Sequence, residues 1–207
     1  MSRLLYVESS PRKDRSKSIE VANSFLDAYR SFHPDDEIAT RDLWSAALPE
    51  FDGYTIDAKY QVLHGESFDD QQSRAWQAVV DVCDAFKDAD KYVFSVPMWN
   101  FGVPYKLKHY FDVIAQPGQT FSFDPASGYS GLVTGKPAVV ISARGGSYEG
   151  DASAMDHQKT YVEQMLGFFG FVDIHHILVN PTLASPDDVA ETIEHAKQQA
   201  VSLAESI

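Results

Sequence analysis

The chain has 207 residues, of which 44% are hydrophobic and 23% are charged, ordinary values that exclude a collagen, a coiled coil and a globally disordered protein. Its 30 acidic and 17 basic residues give a net charge of −13, so we expect neither a nucleic-acid partner nor docking on an anionic membrane. The length, without an internal repeat or a linker, predicts a single domain over residues 1–207.

The cysteine and histidine residues exclude further kinds of site. Cys83 is the only cysteine, which excludes an intramolecular disulfide and a multi-cysteine metal site. The histidines are scattered, so no metal site is predicted. No apolar run reaches membrane-spanning length, and the N-terminal apolar stretch is too short for a signal peptide. We therefore expect a cytoplasmic protein in a reducing compartment.

Short apolar segments alternate with segments of helical periodicity along the chain. The predicted strands cover residues 3–8, 37–43, 91–96, 137–142 and 171–179, and the apolar helical stripes fall within 19–29, 76–86, 107–114, 162–169 and 189–203. Residues 44–70 are predicted as a long loop or partial helix, and residues 117–135 as a hairpin-like excursion. Strict alternation predicts an α/β fold, with a parallel five-stranded sheet of order 2-1-3-4-5 and helices on both faces.

The competing fold is the dinucleotide-binding type, which requires a glycine-rich first turn. Residues 9–18, SSPRKDRSKS, contain no glycine, and this argues against it. In open α/β sheets, ligands bind beyond the carboxyl ends of the strands. We therefore expect the loops after the first, third and fourth predicted strands to form the site.

The first of these loops combines hydroxyl groups with cations. Ser10, Ser16 and Ser18 supply hydroxyl groups, and Arg12, Lys13, Arg15 and Lys17 supply cations. Hydroxyls beside the N–H groups and positive dipole end of a helix form an anion site, so a phosphate group is the predicted ligand. The alternative is a solvated loop before an N-capped helix.

The third-strand loop is rich in aromatic groups. Met98, Trp99 and Phe101 are large and apolar, while the Asn100 amide both donates and accepts hydrogen bonds. Flat apolar faces with one amide suit a planar heterocycle that has polar ring edges. The alternative is a cluster of core aromatics at the start of a helix.

The fourth-strand loop, residues 143–148, contains Gly145 and Gly146, which allow backbone N–H groups to approach a ligand closely. The Tyr148 hydroxyl could reach a ring carbonyl. The alternative is a plain tight turn. The sequence shows no Ser-His-Asp or Cys-His motif, and the lack of an obvious acid–base pair favours a cofactor that brings its own reactivity.

Taken together, four segments resemble the FMN-dependent NADH azoreductase family, which also acts on quinones. They are SSPR…SKS, PMWNFGVPYKLKHYFDVIAQPGQTFSF, GLVTGKPAVVISARGG and LGFFGF, in order between Ser9 and about Asp173. The resemblance implies a flavodoxin-like three-layer sandwich and a homodimer with FMN at its interface. It also implies NADH or NADPH as the electron donor, and ping-pong two-electron reduction of quinones and azo compounds.

The resemblance also implies roles for individual residues. The phosphate-binding positions fall on Ser10, Ser16, Lys17 and Ser18. The ring-binding positions fall on Met98, Trp99, Asn100, Phe101, Ala143, Arg144, Gly145 and Gly146, with Tyr148 where some members carry a histidine near a flavin carbonyl. The substrate pocket falls on Phe101, Phe123 and Phe168, some of them from the other subunit. No side chain is assigned as catalytic, since the flavin N5 is the reactive atom.

This sequence departs from the family pattern at several positions. Trp99 stands where tyrosine is common, Gln116 where arginine is frequent, and Ala143 where serine is frequent. Two hypotheses of other classes stay open at this point. One is an electron carrier or FMN-binding module without a small substrate, and the other is an interaction protein that keeps the fold and binds no cofactor.

Overall fold

The computed structural model of the chain describes residues 1–67 and 69–207. The strands are β1 (Arg3–Glu8), β2 (Glu37–Asp42), β3 (Lys91–Pro97), β4 (Phe121–Asp124), β5 (Gly128–Gly131), β6 (Ala138–Ala143) and β7 (Ile174–Val179). The helices are α1 (Lys17–Phe32), α2 (Gly53–His64), α3 (Asp70–Lys87), α4 (Tyr105–Ile114), α5 (His157–Phe169) and α6 (Pro186–Ser206). Within the described residues, none of the helices combines the length and apolarity needed to cross a bilayer.

Five strands form one parallel sheet with the order β2-β1-β3-β6-β7. The predicted α/β class and the five-stranded parallel sheet are confirmed. The predicted order 2-1-3-4-5 is replaced by 2-1-3-6-7, because β4 and β5 precede β6 in the chain and pair only with each other. These two strands form the hairpin expected within residues 117–135.

Apolar side chains fill both faces of the sheet, as a buried parallel sheet requires. Phe25 and Tyr29 of α1 pack with α6 on one face. Phe86, Phe111 and Phe169, from α3, α4 and α5, pack on the other. The predicted helical stripes therefore face the sheet. This burial holds the strands rigidly and leaves their carboxyl ends free to carry a site.

The segment 44–70 is more helical than expected. Asp52 caps α2 by accepting a hydrogen bond from the Thr55 N–H, and Gly65, with φ 69°, ends it. Asp69 and Gln72 form a reciprocal capping box at the start of α3. The part of this prediction that falls on Phe68 lies outside the described residues.

The β4–β5 hairpin is fastened to the end of α5 by a close backbone approach. The Val133 N–H donates to Phe169 O at 2.8 Å. A Cβ built on Gly131 would lie 2.2 Å from the backbone nitrogen of Gly170, a contact that cannot be relieved by rotating a side chain. Only glycine therefore fits at position 131.

Replacing Gly131 by alanine is expected to destabilise the protein by about 3 kcal/mol or more, because backbone must move to admit the methyl group. Urea unfolding measures the change. Gly167→Ala is the matched control, since a Cβ there meets nothing within 4 Å. Because Gly167 lies inside α5, that change should stabilise by about 0.5–1 kcal/mol. Equal stability of Gly131→Ala and the wild type would contradict the close approach.

Candidate functional site

The loops after β1, β3 and β6 lie together at one edge of the sheet. The Ser9 N–H donates to Ser95 O at 3.2 Å, and the Met98 N–H donates to Ala143 O at 2.8 Å. The loops border a cavity of about 200 Å³. A larger, more open groove of about 480 Å³ lies between α4 and α5, but none of the predicted cofactor residues lines it. The smaller cavity is therefore the candidate site.

The first loop brings buried hydroxyls to the start of α1. Ser10, Ser16 and Lys17 line the cavity, and Ser10, Ser16 and Ser18 are almost fully buried. Ser16 is the N-cap residue, yet its hydroxyl makes no capping bond and lies 3.2 Å from the Ser18 hydroxyl. The first-turn N–H groups of α1 are thus left without a side-chain cap, and together with the hydroxyls they form a donor set suited to a phosphate.

The cations of this loop are less available than the sequence suggests. Lys13 Nζ lies 2.5 Å from Glu8 Oε1 and 2.7 Å from Asp42 Oδ1. Partial burial lowers the pKa of Lys13, but the hydrogen bonds to Asp42 and Glu8 outweigh it and raise the pKa above its usual value. Lys17 forms an ion pair with Glu20 at 3.0 Å. Of the two arginines, Arg12 is the one that lines the cavity.

The third loop is a tight turn with an unusual backbone. The Trp99 and Gly102 N–H groups donate to each other's carbonyl oxygens at 3.0 and 2.9 Å, while Asn100 and Phe101 have φ values of 47° and 69°. Asparagine tolerates this left-handed region, whereas for phenylalanine it is strained. The turn places both side chains at the surface beside the cavity, and Phe101 is 47% exposed. Met98 and Trp99 line the cavity itself.

Two aromatic residues that sequence reasoning missed support Trp99. The Trp44 ring lies 5.8 Å from the Trp99 ring and 5.4 Å from that of Tyr105. Trp44 Nε1 also donates to Ser9 O at 2.9 Å. Trp44 follows β2, whose carboxyl end lies at the same edge of the sheet, and that position was the available signal. The replacement of a common tyrosine by Trp99 therefore sits within an aromatic cluster that holds its ring.

The fourth loop presents backbone to the cavity. Ala143, Arg144 and Gly145 line it, and a Cβ on Gly146 would meet nothing within 4 Å. The side chain of Arg144 is 97% buried and pairs at 2.8 Å with Asp156 Oδ2. Its Nη1 is thus paired inside the protein, while its Nε and Nη2 are buried without a hydrogen-bond partner among the described residues. The ring-binding role of Arg144 stays a prediction.

The loop after β7 forms a fourth wall of the cavity, which was not predicted from the sequence. Thr182 and Leu183 line the cavity, and their N–H groups donate to Arg144 O and Gly145 O, each at 3.0 Å. The Leu183 side chain lies directly over Gly145. The position of this loop in the chain could have predicted its role, because β7 is parallel to β6 and ends at the same edge of the sheet.

Comparison with known proteins shows the family of this chain. A family model described as flavodoxin-like fold matches residues 2–203. The chain belongs to this family. One curated relative, an FMN-dependent NADH:quinone oxidoreductase of Desulfotalea psychrophila, is 50% identical over 208 residues, covering 100% of this chain and 98% of the relative.

Solved structures of the family superpose over the whole chain. The azoreductase of Bacillus anthracis strain Sterne has a TM-score of 0.92 and 29% identity, with 100% of both chains covered. An FMN-dependent NADH-azoreductase of Bacillus anthracis strain Ames Ancestor, in complex with FMN, has a TM-score of 0.87 and 26% identity, covering 99% of this chain and 100% of the other.

Two residues that the family resemblance assigns to the substrate pocket lie elsewhere in this chain. Phe168 packs against Phe121 and Tyr129 at ring distances of 4.5 and 5.6 Å, and Phe123 joins Tyr129 at 5.0 Å. Phe168 lies eleven residues beyond the first residue of α5, which places it about 16 Å along the helix from the site. A single chain therefore does not bring Phe123 and Phe168 to the cavity.

Tyr148 and Gln116 have different surroundings. The Tyr148 ring lies 6.3 Å from the Phe101 ring, edge to face, and stays beside the third loop. Gln116 is fully buried, and its amide donates to Asp112 O and Val113 O at 2.7 and 3.1 Å. It therefore caps the end of α4.

A titratable group lies on the face of β7 that packs against α5. His176 has Glu163 Oε1 2.9 Å from its Nε2, and Lys159, Arg144 and Asp156 lie around it. Burial lowers the pKa of His176 below 6.5, outweighing Glu163, which acts in the opposite direction. The folded protein thus binds a proton at this site less readily than the unfolded chain.

The free energy of unfolding is therefore expected to fall as pH drops below about 6.5, because the unfolded chain then takes up the proton first. Above that pH the histidine is neutral in both states and the contribution is constant. Urea midpoints of the wild type and His176→Gln between pH 7.5 and 5.5 check this. The variant should lose part of the pH dependence, whereas parallel curves would contradict the assignment.

Proposed function

We propose that this chain is an FMN-dependent NADH:quinone oxidoreductase that also reduces azo compounds to amines. The observation that carries the proposal is one cavity that is lined both by a phosphate-type donor set and by aromatic and backbone walls. The family membership and the names of its relatives support it.

The residues present fit the two ends of FMN. The hydroxyls of Ser10, Ser16 and Ser18, with the first turn of α1, match a phosphate. Met98 and Trp99 offer apolar surface to a flat ring, and the exposed backbone at Gly146 offers N–H donors to its polar edge. We therefore assign the phosphate to the serine loop and the ring to the third and fourth loops of one site.

The chemistry that FMN supplies when bound is two-electron transfer between NADH and an acceptor. The protein's residues bind and orient the reactants. Asn100 is exposed on the third loop next to Trp99, which lines the cavity, and we assign its amide to the polar edge of the ring. Phe101 and Tyr148 form an exposed aromatic edge against which a flat donor or acceptor can pack. One slot serving both ligands implies a ping-pong order, and complete azo cleavage requires two such cycles. We assign no side chain as an essential proton donor.

Flavin titration and anaerobic turnover test the proposal. Protein loaded with FMN is expected to be yellow and to oxidise NADH only when a quinone or an azo dye is supplied. FMN binding without NADH oxidation would favour an electron carrier. No FMN binding would favour an interaction protein. Parallel assays with NADPH decide the donor preference.

We further propose that the enzyme is a homodimer whose second copy completes the pocket. The cavity of about 200 Å³ falls below the range of about 300–1,000 Å³ typical of ligand sites, which supports an additional wall. Phe123 and Tyr129 on the hairpin are 58% and 66% exposed, an apolar surface suited to such a wall. Light scattering should give twice the chain mass, and Phe123→Asp should lower quinone turnover more than FMN affinity.

We also propose that the protein is cytoplasmic, which the single buried cysteine supports. The acidic net charge supports the absence of a nucleic-acid partner.

A further inference from the structure

Three consecutive residues at the start of α5 hold the scaffold of the candidate site. Asp156 Oδ2 lies 2.8 Å from Arg144 Nη1 in the fourth loop. The His157 N–H donates to Phe101 O in the third loop at 3.0 Å. Gln158 Nε2 donates to Val96 O in β3 at 2.8 Å. One helix end thus connects both loops that the proposed function assigns to the flavin ring.

Asp156 is fixed from two directions. Its Oδ1 accepts hydrogen bonds from the Gln158 and Lys159 N–H groups at 3.1 and 3.0 Å, so this oxygen caps α5. Its Oδ2 faces Arg144. The side chain is only 9% exposed, so it does not reach the solvent side of the loop. The carboxylate therefore holds the Arg144 side chain in a fixed position relative to α5.

Arg144 depends on this partner. Asp156 is the only carboxylate within 4 Å of its guanidinium among residues 1–67 and 69–207. The backbone of Arg144 is held separately, because its carbonyl accepts from the N–H and the hydroxyl of Thr182 at 3.0 Å each. Arg144 therefore joins three elements, α5, the loop after β7 and the ring-binding loop, at a point that lines the cavity.

A buried ion pair is a poor means of gaining stability. Removing two charges from water costs about as much as their attraction returns, and apolar replacements are often neutral or stabilising. What such a pair can provide is a defined geometry. Here it joins α5 to the fourth loop, while the neighbouring His157 N–H joins α5 to the third loop.

We propose that Asp156 is a positioning residue which, through Arg144, sets the affinity of the site for the flavin ring. This inference rests on the proposed function. Asp156 itself does not line the cavity. Its effect should therefore fall on the ring end of the site and leave the phosphate end unchanged.

Asp156→Ser tests the idea, because serine also caps a helix but cannot pair with Arg144. Titration of the purified apoprotein is expected to show dissociation constants for FMN and for riboflavin that both rise about tenfold, with their ratio unchanged within about twofold. Asp27→Asn is the control, since Asp27 forms an exposed pair with Arg30 on α1 and should change neither constant.

A double variant separates positioning from stability. Arg144→Met combined with Asp156→Ser leaves no unpaired buried charge, so its Tm should recover relative to Asp156→Ser alone. If Asp156 positions the loops, both dissociation constants stay raised in the double variant. If they return to the wild-type values together with the Tm, the pair serves stability only and the inference is wrong.

Two further outcomes also decide the question. An increase in Arg144→Met but not in Asp156→Ser would mean that Arg144 contacts the ring directly, and it would overturn the role of Asp156. Unchanged constants in every variant, with a wild type that binds FMN and reduces quinone, would refute this inference and leave the proposed function standing. A wild type that does not bind FMN would refute both the proposed function and this inference.

Discussion

Replacing Ser16 and Ser18 together by alanine is expected to raise the FMN dissociation constant by about 100-fold or more while leaving that of riboflavin nearly unchanged. Both hydroxyls are buried beside the first turn of α1, and each hydrogen bond to a charged group contributes about 1.5–3 kcal/mol. Only FMN carries the phosphate. Fluorescence titration of the apoprotein with each flavin measures the two constants.

The same double variant also tests the unusual cap. Serine N-caps usually contribute about 1 kcal/mol, but the Ser16 hydroxyl makes no capping bond, so the variant should lose little stability without ligand. Ser31→Ala, near the exposed end of α1, is the control and should bind both flavins normally. Equal loss of FMN and riboflavin affinity would show that Ser16 and Ser18 do not bind the phosphate.

Replacing Asn100 by glycine is expected to weaken FMN and riboflavin equally and to lower quinone turnover by about tenfold or more. The loss of ring-edge hydrogen bonds, at about 1–3 kcal/mol, accounts for this size. Glycine is the informative choice because φ at this position is 47°, which glycine adopts freely. The measured loss then reports the side-chain amide and not a change of backbone.

Two companion variants refine this result. Asn100→Asp keeps the shape and the backbone preference of asparagine but replaces the amide donors by a carboxylate. If the amide donates to the ring, this variant should bind flavin more weakly than Asn100→Gly does. Asn100→Ala adds a backbone cost of about 1–2 kcal/mol and should destabilise the turn as well. Wild-type affinity and turnover in Asn100→Gly would show that the amide does not contact the ring.

Much of the fold could be predicted from local patterns. The strand from Arg3 to Glu8 and the apolar stripes on α1 and α3 are visible in the chain order alone, because burial on a sheet imposes its period on the residues nearby. The parallel order then brings the loops at Ser10, Met98 and Ala143 to one edge, whatever the side chains do. The hairpin within 117–135 was also foreseeable from its turn residues.

The partners of charged groups could not be predicted in this way. Lys13 pairs with Glu8 and with Asp42, which lies 29 positions away, and so is drawn away from the anion site that its position suggested. Arg144 likewise turns towards Asp156. Which carboxylate neutralises a cation depends on where separate elements dock, and no local period encodes that.

The sequence by itself determined the α/β class, the hydroxyl-rich loop after β1 and the aromatic loop after β3, since each follows from residues adjacent in the chain. Only the tertiary structure decided that Thr182 and Leu183 complete the cavity, that Trp44 supports Trp99, and that Phe168 lies at the far end of α5. These placements arise from packing between segments distant along the chain, where the energies of many contacts combine and no short stretch of sequence carries the result.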